Sequence, residues 1–251
     1  MNTNSNTYTV IYTTIVVVIV AAVLAIVSQK LGPMQAANEE AETISQILTA
    51  AQFGEKEHWH EIGNAKTIEF FKANLKEQTK VYSTSDLTAL NYKIKDGSIK
   101  SEELPVYVFS NGVVVLPVYG AGLWGPVWGY IAMADDYQTV VGAYFDHASE
   151  TPGLGGKIKD DPSFRAQFTG KKVIFDQNGP LSIIKGGAPA GMENAVDAIT
   201  GATMTSKGLN EAIATWLCAY QQHIEHEIEV GQAIQAIAEG LEESNKTSEE
   251  E

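Results

Sequence analysis

The sequence predicts helices at both ends of the chain with an antiparallel sheet between them. Three observations carry this. Residues 10–27, VIYTTIVVVIVAAVLAIV, contain no charge, and none follows until Lys30. Those 18 residues are near the lower limit for a helix that crosses a bilayer. In the middle of the chain, strand-like alternation flanks short turn signals at Asp96-Gly97, Asn111-Gly112 and Asp135-Asp136, as in hairpins. Further on, Ile213, Trp216, Leu217 and Tyr220 recur at i, i+3, i+4 and i+7, the stripe of a helix packed along one face.

The N-terminal run reads as an uncleaved anchor. A signal peptide would open with basic residues, and residues 1–9 contain none. Tyr8 extends the run and suits the interface. The single Lys30 on the C-terminal side weakly places the remainder in the cytoplasm, but long domains cross largely regardless of charge. Pro33 is expected to end the anchor. Residues 36–52 form a separate amphipathic helix, with Ile44, Ile47, Leu48 and Ala51 on its apolar face.

His58 and His60 share a face only on a strand, and no third ligand stands beside them, fewer than zinc requires. Residues 67–79 read as another short helix and residues 81–100 as strand material. Residues 104–116 make a hairpin about Asn111-Gly112, and residues 130–145 another about Asp135-Asp136. Residues 164–168 and 173–184 continue as a short helix and a strand.

Charge and cysteine content narrow the function. Of 251 residues, 17 are basic and 31 acidic, a net charge of −14. A nucleic-acid binder would want the opposite sign. One cysteine makes no internal disulfide, no cysteine-based zinc site and no iron–sulfur cluster. Cys218 reads as a small buried side chain. His223 and His226 with Glu227 read as a solvated helix face before a metal site.

Three stretches carry chemistry. Residues 118–130 hold four glycines and three large aromatics. Glycine admits close backbone approach and the rings offer flat apolar area, although a tight loop with core aromatics gives the same pattern. Gly120, Gly122 and Gly125 match GxGxxG by letter but run into Pro126 and a strand, so the dinucleotide reading is weak. Residues 147–157 form a polar, Gly-rich loop in which His147 and Glu150 also read as acid–base partners. Residues 197–206, DAITGATMTS, follow the turn-rich 185–191 and precede a helix expected from about Ser206. Thr203 and Thr205 thus fall just before a helix N-terminus, a place that suits a phosphate and equally an N-cap. The helix runs over residues 209–241 and is read as closing at Gly240, and residues 245–251 read as a disordered acidic tail.

Asp197, Thr200-Gly201-Ala202-Thr203 and Thr205 resemble the flavinylation motif of FMN-binding domains. Together with Tyr119-Gly120, Gly122-Leu-Trp-Gly-Pro126 and His147 with Glu150-Thr-Pro-Gly-Leu-Gly-Gly156, they resemble the C subunits of sodium-translocating NADH:quinone oxidoreductases. The alternative relative is the G subunit of the Rnf electron-transport complex. The resemblance implies an α+β domain behind one transmembrane helix in a bacterial inner membrane, with the domain on the periplasmic side. It also implies one FMN bound covalently by a phosphoester to Thr203, a separate flavin transferase, and electron relay among partner subunits that hold the NADH, quinone and sodium sites. Such a chain is one part of the oxidoreductase and is not catalytic alone.

As flavin neighbours the resemblance implies Leu123, Trp124, Glu150, Thr151, Gly153, Leu154 and Gly155, with Thr200, Gly201, Ala202 and Thr205 in the attachment loop. By charge alone, Lys157 and Lys207 are partners for the phosphate or ring N1. The expected division is an anchor over 1–30, a membrane-proximal part over 31–100, the FMN-binding domain over 101–222 and a helical, acidic extension over 223–251. The other readings are a membrane-anchored binding module without flavin and, more remotely, an acid–base enzyme using His147 and Glu150.

Overall fold

The computed structural model describes residues 6–82, 103–177 and 179–249. Helix α1 (Asn6–Ala50) leads into α2 (Lys56–Ile62) and α3 (Asn64–Asn74). Then come β1 (Leu75–Tyr82), β2 (Glu103–Phe109), β3 (Val114–Ala121), β4 (Pro126–Met133) and β5 (Val140–His147). Two short helices follow, α4 (Lys157–Asp160) and α5 (Pro162–Ala166), then β6 (Ser182–Ile184), β7 (Ala195–Asp197) and α6 (Thr203–Glu249).

The five long strands form one antiparallel meander in the order β1-β2-β3-β4-β5, while β6 and β7 pair in parallel beside it. Both faces of the meander are covered. Val114, Leu116 and Val118 of β3, Ile131 and Met133 of β4 and Phe145 of β5 belong to the core shared with α6. Their neighbours Val115, Ala132 and Tyr144 join the opposite core, with Ile44, Ile47 and Leu48 of α1, Trp59 and Phe71. This is the period-two alternation of a strand, apolar on both sides because helices pack on both. Ile213, Trp216, Leu217 and Tyr220 are fully buried on the sheet, each contributing about 2 kcal/mol of apolar transfer. Polar tips are paired: Trp216 Nε1 donates to the Tyr119 carbonyl at 2.6 Å and Tyr220 Oη to the Pro105 carbonyl at 2.7 Å.

The two long helices cross opposite faces of the sheet in the same sense. Gln46 Nε2 donates to Asp146 Oδ2 at 2.9 Å, Trp128 Nε1 donates to Gln46 Oε1 at 3.1 Å, and the Ala50 carbonyl lies against Gly142. In chain order α1 therefore runs away from the end of the sheet where β5 finishes and β4 starts. Helix α6 begins at that same end, passes Gly120 at Ala212, and reaches Tyr137 of the β4–β5 turn with His223, the rings 5.6 Å apart. The apolar part of α1 and the first turn of α6 thus lie toward one end of the sheet.

Several expectations change. Pro33 sits inside α1 and does not end it. Proline removes one helical hydrogen bond, but the helix is exposed there and water can satisfy the freed carbonyl. Of residues 67–79, only those up to Asn74 are helical. Leu75 onward pairs with β2, where tertiary pairing overrides a weak helical pattern. Helix α6 starts at Thr203, three residues early, and continues through Gly240 to Glu249; Gly240 costs helix stability without ending it, and residues 245–249 are helical. Cys218 is exposed, on the flank of the buried stripe. Among the described residues of 173–184, only Ser182–Ile184 is strand. The Asp96-Gly97 hairpin lies outside the described residues. The other two hairpins are present: Gly112 has φ 85°, and Asp136 Oδ1 accepts from the Gln138 and Thr139 amides at 2.9 and 2.7 Å.

Candidate cofactor site

Three loops meet at the end of the sheet where α6 begins. The first joins β3 to β4 and is closed by the Gly122 amide donating to the Gly125 carbonyl at 2.8 Å. No βαβ unit surrounds Gly120, Gly122 and Gly125, so the dinucleotide match by letter has no structural counterpart. The second loop leaves β5 and turns through Gly153, whose φ is 73°, with the Gly156 amide donating to the Thr151 carbonyl at 2.9 Å. The third precedes α6, and Gly201 at φ 82° lets the chain enter the helix. A side chain at Gly201 would lie 3.1 Å from Leu154 Cδ2, so the second and third loops touch there.

The two threonines of the third loop differ. Thr203 is exposed and is the first residue of α6. The first amides of a helix have no intrahelical acceptor and carry the positive end of its dipole, so an anion on Thr203 would sit among them. Thr205 is 1 % exposed, and its hydroxyl donates to Glu150 Oε2 at 2.6 Å. Ser206 Oγ accepts from the Ile199 amide at 3.2 Å, which ties the loop to the start of the helix. Asp197 Oδ1 accepts from the Ala188 amide at 2.7 Å; this motif carboxylate orders the turn-rich segment before it.

Around Thr203 the loops present apolar surface. Leu123, Trp124, Leu154 and Met204 are 49, 66, 45 and 54 % exposed. Exposed apolar groups grouped at converging loops mark a binding surface. Met204 went unread in the sequence because the motif allows any residue there. Thr151, Gly153, Thr200 and Gly201 are exposed at the same loops, whereas Gly155 and Ala202 are buried beneath them. Lys157 opens α4, half-buried. Lys207 is exposed and lies 3.6 Å from Glu211, one turn along α6.

Glu150 is 5 % exposed, and its carboxylate turns inward, away from the open surface. His147 Nδ1 accepts from the Glu150 backbone amide at 3.1 Å, so the two side chains do not pair as acid and base. Beside them Asp146 is buried and ion-paired with Lys159 at 2.9 Å. Among the described residues no group of three or more His, Cys, Asp or Glu is arranged to hold a metal ion. His223 Nδ1 lies 3.8 Å from Glu227, and burial pushes the His223 pKa down, partly opposed by Glu227.

An apolar, open surface beside a helix N-terminus and an exposed hydroxyl fits a flat cofactor carrying a phosphate. Comparisons with known proteins agree. Residues 122–218 match the family model described as FMN-binding domain. The C subunit of the Na(+)-translocating NADH-quinone reductase of Vibrio anguillarum is 44 % identical over 117 residues, 45 % of this chain and 46 % of the relative. That of Yersinia pestis is 46 % identical over 106 residues, 41 % of this chain and 39 % of the relative. The matched region thus spans about half the length of these curated relatives or less. Among solved structures, the C subunit from Parabacteroides distasonis is 29 % identical with a TM-score of 0.64, covering 77 % of this chain and 96 % of that one. Shewanella oneidensis NqrC, 24 % identical, has the same fold with a TM-score of 0.57 over 77 % of this chain and 98 % of that one. Residues 122–218 are thus similar to FMN-binding domains, on a fold shared with the C subunits of Na(+)-translocating NADH-quinone reductases.

Proposed function

We propose that this chain is the FMN-bearing, electron-relaying subunit of a membrane-bound sodium-translocating NADH:quinone reductase, with FMN attached to the Thr203 hydroxyl by a phosphoester bond. The observation that carries the reading is the contrast between the threonines: Thr203 is open at the helix N-terminus, and Thr205 is buried with its hydroxyl committed to Glu150. The first-turn amides of α6 would receive the phosphate. Leu123, Trp124, Leu154 and Met204 would flank the isoalloxazine and leave an edge open to a redox partner. FMN, once bound, accepts and passes on electrons. The protein's part is to hold the ring at a fixed place and to tune its surroundings. Lys157 is near enough in sequence to the Leu154 loop to serve the phosphate or ring N1, and Lys207 is a weaker candidate because it pairs along its own helix.

On this reading residues 1–30 anchor the chain in the inner membrane. Residues 31–100 form the membrane-proximal part, 101–222 the flavin domain on the periplasmic side and 223–251 an extension. Helix α1 contains one stretch long and apolar enough to cross a membrane, which supports the anchor. Other subunits supply NADH oxidation, quinone reduction and the sodium path, and a flavin transferase loads Thr203.

The test is intact mass and in-gel fluorescence of the chain made together with its transferase, as wild type and as Thr203→Val. A mass gain of FMN less one water, lost with the fluorescence in the variant, is expected. An unmodified wild type beside an active transferase control overturns the reading and favours a flavin-free module that uses the same apolar surface to bind a partner. A flavin that stays on Thr203→Val moves the attachment elsewhere.

A further inference from the structure

We infer that Glu150 is a positioning residue: a buried carboxylate that clamps the Trp124 loop to the first turn of α6 and so fixes the shape of the flavin slot. The inference rests on the flavin reading above for its purpose but on the protein's own contacts for its geometry. Glu150 Oε1 accepts from the Trp124 backbone amide at 2.9 Å, and Oε2 accepts from the Thr205 hydroxyl at 2.6 Å. The partners are 26 and 55 residues away in sequence, so one side chain joins all three loops.

The chain leaves room for this carboxylate on both sides. A side chain at Gly122 would collide with Oε1, and one at Gly155 would collide with Oε2 and come within 2.5 Å of Thr205 Oγ1. Glu150 shares in both exclusions, with Val127 Cγ1 2.7 Å from a Cβ at Gly122 and Thr205 beside Gly155, and neither glycine has the positive φ that would demand glycine for backbone reasons. The residue is held from behind as well, through its amide on His147 Nδ1. Ser149 Oγ donates to the Trp124 carbonyl at 2.8 Å, so Trp124 is gripped at both its amide and its carbonyl while its ring stays exposed.

Neither group that donates to the carboxylate is charged. Each carboxylate oxygen nevertheless has a donor, so the buried group is satisfied within the protein. Glutamine at this position has the same shape. Its carbonyl can accept from Trp124 and its NH2 can donate to the Thr205 oxygen, so the clamp survives. Alanine breaks both links.

The test uses the full-length chain in detergent, with and without co-produced transferase, as wild type, Glu150→Gln, Glu150→Ala and Glu150→Asp. Hydrogen exchange of the Trp124 amide reads the clamp whether or not flavin is present. Exchange should quicken about tenfold in Glu150→Ala, the effect of losing a hydrogen bond to a buried acceptor, and stay near wild type in Glu150→Gln. In flavin-loaded protein, Glu150→Ala should change the visible circular dichroism of the flavin. Glu150→Gln should keep that spectrum. If Glu150→Ala does not fold, Glu150→Asp, one methylene too short to reach both partners, should show the quickened exchange instead. Unchanged exchange at Trp124 in the variants, or a loaded Glu150→Ala with the wild-type flavin spectrum, overturns the clamp. A wild type that takes up no flavin overturns the proposed function instead, and the exchange measurement still decides the clamp.

Discussion

Helix α6 lies so close to β3 that one added methyl decides whether they fit. A Cβ at Gly120 would stand 2.6 Å from Ala212 Cβ and 3.3 Å from Ala212 Cα. Carbon atoms settle at about 3.5–4.0 Å, so Gly120→Ala must move the helix off the strand by roughly 1 Å. Overpacking of this kind costs about 1–3 kcal/mol. The substitution also removes backbone freedom from the unfolded chain, a gain of about 0.4–1 kcal/mol. The clash wins, because the atoms in the way are a methyl and the backbone of a helix packed along its length, not the end of a flexible side chain. The net loss is about 1–2 kcal/mol, a fall in melting temperature of about 2–8 °C at 2–4 °C per kcal/mol for a domain of this size. Differential scanning calorimetry of the full chain in detergent measures it. Gly231→Ala on the same helix is the control, since nothing lies within 4 Å of its Cβ position; there helix propensity alone acts, and the change should be neutral or stabilising. The double variant Gly120→Ala with Ala212→Gly should be less damaged than the sum of its parts, because removing the opposing methyl relieves the contact. A melting temperature for Gly120→Ala at or above wild type, or strict additivity in the double variant, would refute the steric account.

Three further outcomes are expected. Tyr220→Phe should lower stability by about 1 kcal/mol in thermal melts, since it removes the bond from the buried Tyr220 hydroxyl to the carbonyl of half-buried Pro105. Trp124→Ala should leave the melting temperature within about 1 °C, its side chain being mostly exposed, while altering the flavin's absorption and fluorescence in loaded protein. Burial pushes the Asp136 carboxyl up, but hydrogen bonds from the Thr139 hydroxyl and amide and the Gln138 amide outweigh it and hold the folded pKa below the ordinary 3.8. Its contribution is therefore present above that value and is lost as pH falls through the depressed one. Melts at pH 7 and pH 3 should differ less for Asp136→Asn than for wild type, and an equal difference would contradict the assignment.

What the sequence made legible was what local chemistry dictates. The stripe Ile213, Trp216, Leu217 and Tyr220 is the buried face of α6, and the Asn111-Gly112 and Asp135-Asp136 turns sit where two-residue signals put them. The three loop motifs do come together at one end of the sheet. Pairing partners far along the chain were not legible. Leu75 and its neighbours become strand only because β2 is there to receive them. The sequence marks Glu150 as a flavin neighbour, but the donors that hold its carboxylate, Trp124 and Thr205, are distant in sequence. Cys218 misled because it stands one residue past the buried Leu217 on a helix, where one step rotates a side chain by about 100°. The network of Gln46, Trp128 and Asp146 left no signal at all.

The continuity of α1 has a mechanical consequence. Between Val27 and Gln46 the helix rises about 28 Å, so a rod, not a tether, sets the height of the flavin loops above the end of the apolar run. Its soft point is Gly32-Pro33, where a hydrogen bond is missing and no neighbour lies within 4 Å of the Gly32 Cβ position. Gln46, gripping the sheet, is about 20 Å beyond that point. A bend there of about 20°, the size proline commonly allows, would sweep the Gln46 end of the sheet sideways by about 7 Å. The anchor is thereby also a lever, with its fulcrum at Pro33 and its load at the loops that would carry the flavin.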